Sequence, residues 1–190
     1  MLEYLLAGVV VLLGVSLYFN IKLSKTVKDY KENKNVLIHN AYFNPVTDLP
    51  NRTNVELVMG EQIDRVSRRD QKFLVCVLKL KNYQTFKEKS QELANDYMRA
   101  ASDVLVDTVR DEDLIGQIEE DSFLILFNEY LDEEHYSLII EKIRVAFKES
   151  SFNTQKEQYP FEISVGKSQY PDNASSISAL ITDATNNSLK

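Results

Sequence analysis

Arg110-Asp-Glu-Asp-Leu-Ile-Gly-Gln-Ile-Glu-Glu-Asp-Ser-Phe-Leu-Ile-Leu-Phe127 reads as two short strands joined by a charged tip. Leu114, Ile115 and Ile118 supply apolar positions before the tip, and Phe123 to Phe127 form an unbroken apolar run after it. A short apolar run bounded by polar residues is the pattern of a buried strand. The tip, Glu119-Glu120-Asp121-Ser122, holds no Gly, Pro or Asn-Gly, so its own turn chemistry is weak.

Upstream, Phe73 to Leu78 forms the core of a second buried strand, spanning Lys72 to Lys81. Apolar spacing predicts helices from an Asn51 cap to about Arg69, over Tyr83 to Lys89, and from Glu92 to Arg110. The first turns Val55, Leu57, Val58, Ile63 and Val66 inward; the third buries Leu93, Tyr97, Ala101, Val104, Leu105 and Val109. Downstream come a helix from Glu133 to Glu149, a strand from Phe161 to Ser168, and a last helix from near Ser176 to Lys190. Pro45 and Pro50 end the helix that leads into this domain, because each lacks an N–H donor and restricts its predecessor.

Tyr4 to Ile21 is almost wholly apolar, and as a helix it would reach about 27 Å, close to a hydrocarbon core of about 30 Å. A cleaved signal peptide would start with positive charge, whereas this segment follows Glu3 and lacks a small-x-small cleavage site. The expectation is one transmembrane helix over residues 1–21. Lys22, Lys25, Lys28, Lys31 and Lys34 follow it and mark the cytoplasmic side, placing the amino terminus outside and the remainder within. Residues 22–43 then form a helical stalk, and the folded domain occupies 44–190.

The net charge of −7 argues against nucleic acid as a partner. Cys76, alone of its type and inside an apolar run, reads as a small core residue, which excludes an internal disulfide. His39 and His135 have no Cys or second His at ligand spacing, so no metal site is expected of them.

Asn44-Pro-Val-Thr-Asp-Leu-Pro-Asn-Arg52 resembles the segment Asp-x-Leu-Thr-Gly-Leu-x-Asn-Arg that opens GGDEF domains, with Thr47, Leu49, Asn51 and Arg52 matching. Asp48 stands in the place of the Gly. Glu119-Glu120-Asp121-Ser122-Phe123 falls where diguanylate cyclases carry Gly-Gly-Asp-Glu-Phe, and Ser164-Val165-Gly166 is similar to their Ser-Ile-Gly. The resemblance runs from about residue 41 to 190. It implies an α/β (α+β) fold: the palm-like mixed sheet of nucleotide cyclases, flanked by helices.

It also implies what the chemistry would be. Two carboxylate-held metal ions would stabilise phosphate charge, and the two glycines would let triphosphate approach bare backbone amides. Here Lys79 stands in the place of the first metal carboxylate and Lys81 in that of the second acid of the same motif. Glu119 and Glu120 replace the glycines, Ser122 replaces the last acid, and Lys87 replaces the guanine-contacting Asn. Asp121 and Asp96 remain, and Asp121 is expected to pair with Lys79. The expectation is therefore a protein without cyclase activity, metal or cofactor.

Arg110-x-x-Asp113 matches the spacing of the family's product site, which implies binding of cyclic di-GMP, with Lys142 the nearest match to its second basic residue and Arg144 in reach as a substitute. An arginine fork suits phosphate or the Hoogsteen edge of guanine, and an aspartate accepts from guanine N–H groups. The chain then reads as a membrane-anchored, inactive receptor for cyclic di-GMP that signals to a protein partner. The competing reading is a nucleotide-independent interaction module within a membrane-associated complex. The family resemblance and the stalk also imply a homodimer.

Overall fold

The structure is a computed structural model. It describes residues 1–127, 133–154 and 157–188, with side chains described at all of these except 2–13, 15, 33, 35 and 133. In chain order the elements are α1 (Leu2–Tyr42), α2 (Arg52–Ser67), β1 (Phe73–Leu80), α3 (Tyr83–Lys89), α4 (Gln91–Thr108), β2 (Leu114–Glu119) and β3 (Ser122–Leu126). There follow α5 (Glu133–Glu149), β4 (Ser151–Asn153), β5 (Gln158–Pro160), β6 (Ile163–Tyr170) and α6 (Ile177–Ser188).

The chain divides into two units, 1–41 and 42–190. The first is a single helix. It continues without a break through the lysines, and its described side chains from Ser16 to Glu32 are exposed. The expected membrane span over 4–21 is overturned, and with it the orientation that placed the amino terminus outside and the domain on the cytoplasmic side. Among the described residues no helix is long and apolar enough to cross a membrane.

In the second unit, a four-stranded sheet has the order β2-β3-β1-β6. The expected mixed sheet is antiparallel at every pairing of these strands. The cause is the hairpin: β2 runs in the same direction as β1, but β3 folds back and takes the place beside it. One isolated parallel bridge, Asn51 to Gln117, ties the entry of α2 to β2.

The unbroken apolar runs have a simple origin. Side chains alternate across a strand, and both faces of β1 and β3 are covered. Leu74, Cys76, Leu78 and Leu80 join Phe123, Ile125 and Phe127 under α3, α4 and α5. Phe73, Val75 and Val77 join Leu124 and Leu126 under α2 and α6. Full burial of such a side chain stabilises by about 1.5–3 kcal/mol, so the two central strands dominate the core.

Asn51 caps α2 as expected, its side-chain oxygen accepting from Asn54 N at 3.1 Å. On α2 the inward residues are Val55, Met59 and Val66, whereas Leu57 is 54% exposed. Leu57 lies two residues past Val55, about 200° around the helix, off its core-facing side. On α4, Tyr97, Ala101 and Leu105 are fully buried as expected.

Tyr97 anchors an aromatic cluster. Its ring stacks on Phe86 with centroids 4.3 Å apart, and Phe161 and Phe152 close around it at 5.1 and 5.4 Å. Phe152 and Tyr159 belong to the small β4–β5 hairpin, which the sequence did not foretell. At the end of the chain α6 packs on β6. A Cβ on Gly166 would lie 2.0 Å from Ala184 O and 2.3 Å from Ser188 N, so only glycine lets these backbones meet. Lys190, at the expected end of this helix, lies outside the described residues.

Candidate functional site

The β2–β3 tip turns between Glu119 and Ser122, which face each other across the hairpin, after a register shift between Gln117 and Glu119. Gln117 is its strut. Its backbone N–H donates to Pro50 O at 2.8 Å, and its side-chain oxygen accepts from Thr47 Oγ1 at 2.8 Å. Its Nε2 donates to Glu119 O and Glu120 O at 3.2 and 3.4 Å. The loop before α2 is thus clamped to the tip by side-chain bonds that substitute for missing turn residues.

Each acid of the tip meets a cation from a different element. Glu119 pairs with Arg52 of α2, whose Nε also contacts Glu56 at 2.8 Å. Glu120 pairs with Lys87 of α3, and this hydrogen bond raises the Lys87 pKa above its ordinary value. Asp121 pairs with Lys79 of β1 at 3.0 Å and accepts from Ser122 Oγ at 2.6 Å. The expected Lys79–Asp121 contact is present, whereas the Arg52 and Lys87 partners were missed by sequence reasoning. No local spacing signals them, because they lie 67 and 33 residues away. Asp96 pairs with Arg99, which also donates to Val46 O at 3.2 Å.

Two clefts flank the tip. One of about 420 Å³ lies between Asn44, Arg52, Asn95 and Glu120; the other, about 450 Å³, lies between Lys79, Gln84, Asp121 and Thr185. Glu119 and Glu120 line both. Among the described residues no three His, Cys, Asp or Glu side chains form a group that could hold a metal ion.

Arg110 and Asp113 sit in one tight turn before β2, with Asp113 N donating to Arg110 O at 3.1 Å. Arg110 is exposed and has Glu112 Oε1 at 3.6 Å. Asp113 borders a small cavity of about 230 Å³ with Val58, Gln62 and Leu126. Lys142 approaches this segment: its Nζ donates to Thr108 O at 2.9 Å, at the carbonyl end of α4, where a cation is favoured.

Arg144 points elsewhere, its Nη2 donating to Val165 O of β6 at 3.3 Å. Residues two apart on a helix do not share a face, so Lys142 and Arg144 serve opposite flanks of α5.

The model of the family described as "Diguanylate cyclase, GGDEF domain" matches residues 41–189. Among solved structures, a sensory box/GGDEF family protein from Caulobacter crescentus aligns with TM-score 0.70 at 16% identity, covering 78% of this chain and 96% of that one. The diguanylate cyclase SiaD in complex with its activator SiaC, from Pseudomonas aeruginosa, aligns with TM-score 0.72 at 18% identity, covering 91% and 66%. The coiled coil and GGDEF domain of DgcB from Caulobacter crescentus, in complex with c-di-GMP, aligns with TM-score 0.71 at 13% identity, covering 86% of each chain. At these identities the likeness is one of fold. No curated protein matches the chain in sequence.

Proposed function

The chain belongs to the diguanylate cyclase GGDEF domain family, and from that premise we propose that it is a member without cyclase activity that acts as a receptor for cyclic di-GMP and passes the signal to a protein partner. The observation that carries the inactive reading is the ammonium of Lys79 set 3.0 Å from Asp121. Family chemistry would use divalent ions among carboxylates here. A fixed cation bound to the remaining acid does not fit such an ion, so no phosphoryl step is derived through it. Glu119 and Glu120 add bulk and negative charge where triphosphate would need bare amides.

Arg110 and Asp113 carry the receptor reading. One turn holds both, and Lys142 brings a second cation to the same end of α4. An exposed guanidinium next to a half-buried carboxylate can address the phosphate and the N–H edge of a guanine together. Arg144, directed to β6, is left out of this set. The c-di-GMP in the DgcB complex and the activator bound to SiaD show that both kinds of partner occur on this fold.

Calorimetric titration of cyclic di-GMP into the protein, with Arg110→Ala alongside, tests the proposal. Saturable binding lost in the variant is expected, together with no cyclic di-GMP formed from GTP and Mg2+. Turnover of GTP would overturn the inactive reading, and absence of heat would overturn the receptor. A nucleotide-independent docking module would then be favoured by exposed Val106 of α4 and Leu138 of α5, and it would be detected as a partner retained without nucleotide.

A further inference from the structure

The last turns of α5 and the entry to β6 enclose a cleft of about 410 Å³, lined by Lys81, Arg144, Phe147, Lys148, Phe161 and Glu162 among others. It shares no lining residue with the tip clefts or with the cavity beside Asp113. Hydrogen bonds tie its walls together. Lys81 N donates to Glu162 O at 2.8 Å, and Asn82 Nδ2 donates to Pro160 O at 3.2 Å. The floor is apolar: the rings of Phe147 and Phe161 meet edge to face, with centroids 5.4 Å apart, beside half-buried Ile163.

Three exposed cations ring this floor: Lys81 just after β1, and Arg144 and Lys148 on α5. Among the described residues neither lysine ammonium has a hydrogen-bond or ion-pair partner. Arg144 gives one N–H to Val165 O at 3.3 Å, which steadies the guanidinium and leaves its other donors. Glu162 is the one carboxylate among the described lining residues, and no ion pair joins it to any of the three cations. Glu134, at the start of α5, lies about 21 Å along the helix axis from Lys148, beyond two Debye lengths at physiological salt. In a chain of net charge −7 the cleft thus holds three positive charges against one negative.

We infer that this cleft docks a short acidic segment of a protein partner, its carboxylates answered by Lys81, Arg144 and Lys148 and an apolar side chain seated on the floor between them. An arginine fork matches a carboxylate in a bidentate way, and each lysine adds a point charge. Exposed ion pairs contribute little one by one, so the apolar anchor supplies most of the affinity while the cations select the partner and speed its approach. Glu162 repels a segment that is acidic throughout, which favours acids flanking an apolar residue. A small phosphate ester fits less well, because the apolar surface runs on past the cleft: Val145, between Arg144 and Lys148 in sequence, is 41% exposed, and Pro160 is exposed at the other wall. The docking rests on the proposed function only for the existence of a protein partner.

The test is a titration of the full chain with the peptide acetyl-Glu-Glu-Phe-Glu-Glu-amide, followed by amide nuclear magnetic resonance, against acetyl-Gln-Gln-Phe-Gln-Gln-amide. Saturable shifts at Lys81, Lys148, Phe161 and Ile163 are expected with the acidic peptide and not with its neutral counterpart. Lys81→Gln and Lys148→Gln should each weaken binding about threefold. Both side chains are exposed and unpartnered among the described residues, so their replacement leaves the fold intact. Arg110→Gln should leave binding unchanged, which separates failure here from failure of the cyclic di-GMP reading. Equal response to both peptides, shifts that never saturate, or undiminished binding by the double variant of Lys81 and Lys148 would overturn the inference. So would the same shifts from inorganic phosphate at equal ionic strength, which would make the cleft a small-anion site.

Discussion

Lys79 and Asp121 meet at 3.0 Å where the end of β1 passes the hairpin tip, and the backbone repeats the contact one residue on, with Leu80 N donating to Asp121 O at 2.9 Å. The two side chains are 35% and 25% exposed, so water screens the pair only in part. A double-mutant cycle of Lys79→Ala and Asp121→Ala, read by urea unfolding, is expected to give a coupling of about 0.5–1 kcal/mol that shrinks with added salt. Additive losses would mean that the pair contributes nothing to holding the tip.

Cys76 lies wholly inside the core, where burial pushes its thiol pKa up to about 12 against a partial pull from Lys167 and Arg144. In the unfolded chain a thiol titrates near about 8.5. The folded state therefore holds its proton more tightly, and the stability this contributes is complete below the unfolded value and is lost as pH rises toward the folded one. The melting temperature is expected to fall over that alkaline range, and to fall less in Cys76→Ala. The native thiol should react with a disulfide reagent only as fast as the domain opens.

Gly166 and Gly60 make a matched contrast. Gly166→Ala drives a methyl into the backbone of α6 at Ala184 and Ser188, and a loss of at least about 2 kcal/mol is expected. In Gly60→Ala, within α2, the new carbon meets only Ile177 Cδ1 at 3.8 Å. That variant should gain about 0.5–1 kcal/mol from helix propensity. Chemical unfolding of both variants checks the pair.

Asp70 holds φ at 50° just past the end of α2, next to Gln71, whose N–H closes on Val66 O at 3.1 Å. The left-handed region costs a side chain with a Cβ more than it costs glycine. Asp70→Gly is expected to raise the unfolding midpoint by an amount equivalent to about 0.5 kcal/mol. A lowered midpoint would show that Asp70 makes a compensating contact.

The central strands and the helices α3 and α5 were legible because their signals are local. Phe73 to Leu78 and Phe123 to Phe127 are apolar at every position since both faces of β1 and β3 are covered. The tip was legible weakly from the two apolar runs beside it and more sharply through family resemblance, because what fixes it is distant: Thr47 on Gln117, Arg52 on Glu119 and Lys87 on Glu120. Lys142 was the nearer match in sequence and Arg144 a substitute within reach, and helix geometry sends the first to Thr108 and the second to Val165. The β4–β5 hairpin escaped because three-residue strands carry too little periodicity to read. Lysines after an apolar run marked a membrane boundary by charge pattern alone, and the helix α1 passes through that point without a break.

The cluster around Tyr97 also determines how this molecule handles light. The chain has no tryptophan and 10 tyrosines, so its near-ultraviolet signal is tyrosine's. Tyr97 is fully buried, stacked on Phe86 and hydrogen-bonded through its hydroxyl to Asn82. A ring fixed in so asymmetric a setting gives circular dichroism that a freely rotating surface ring does not. Tyr97's share of the tyrosine signal is lost when α3 parts from α4, so the larger core contributes its own part to the near-ultraviolet spectrum.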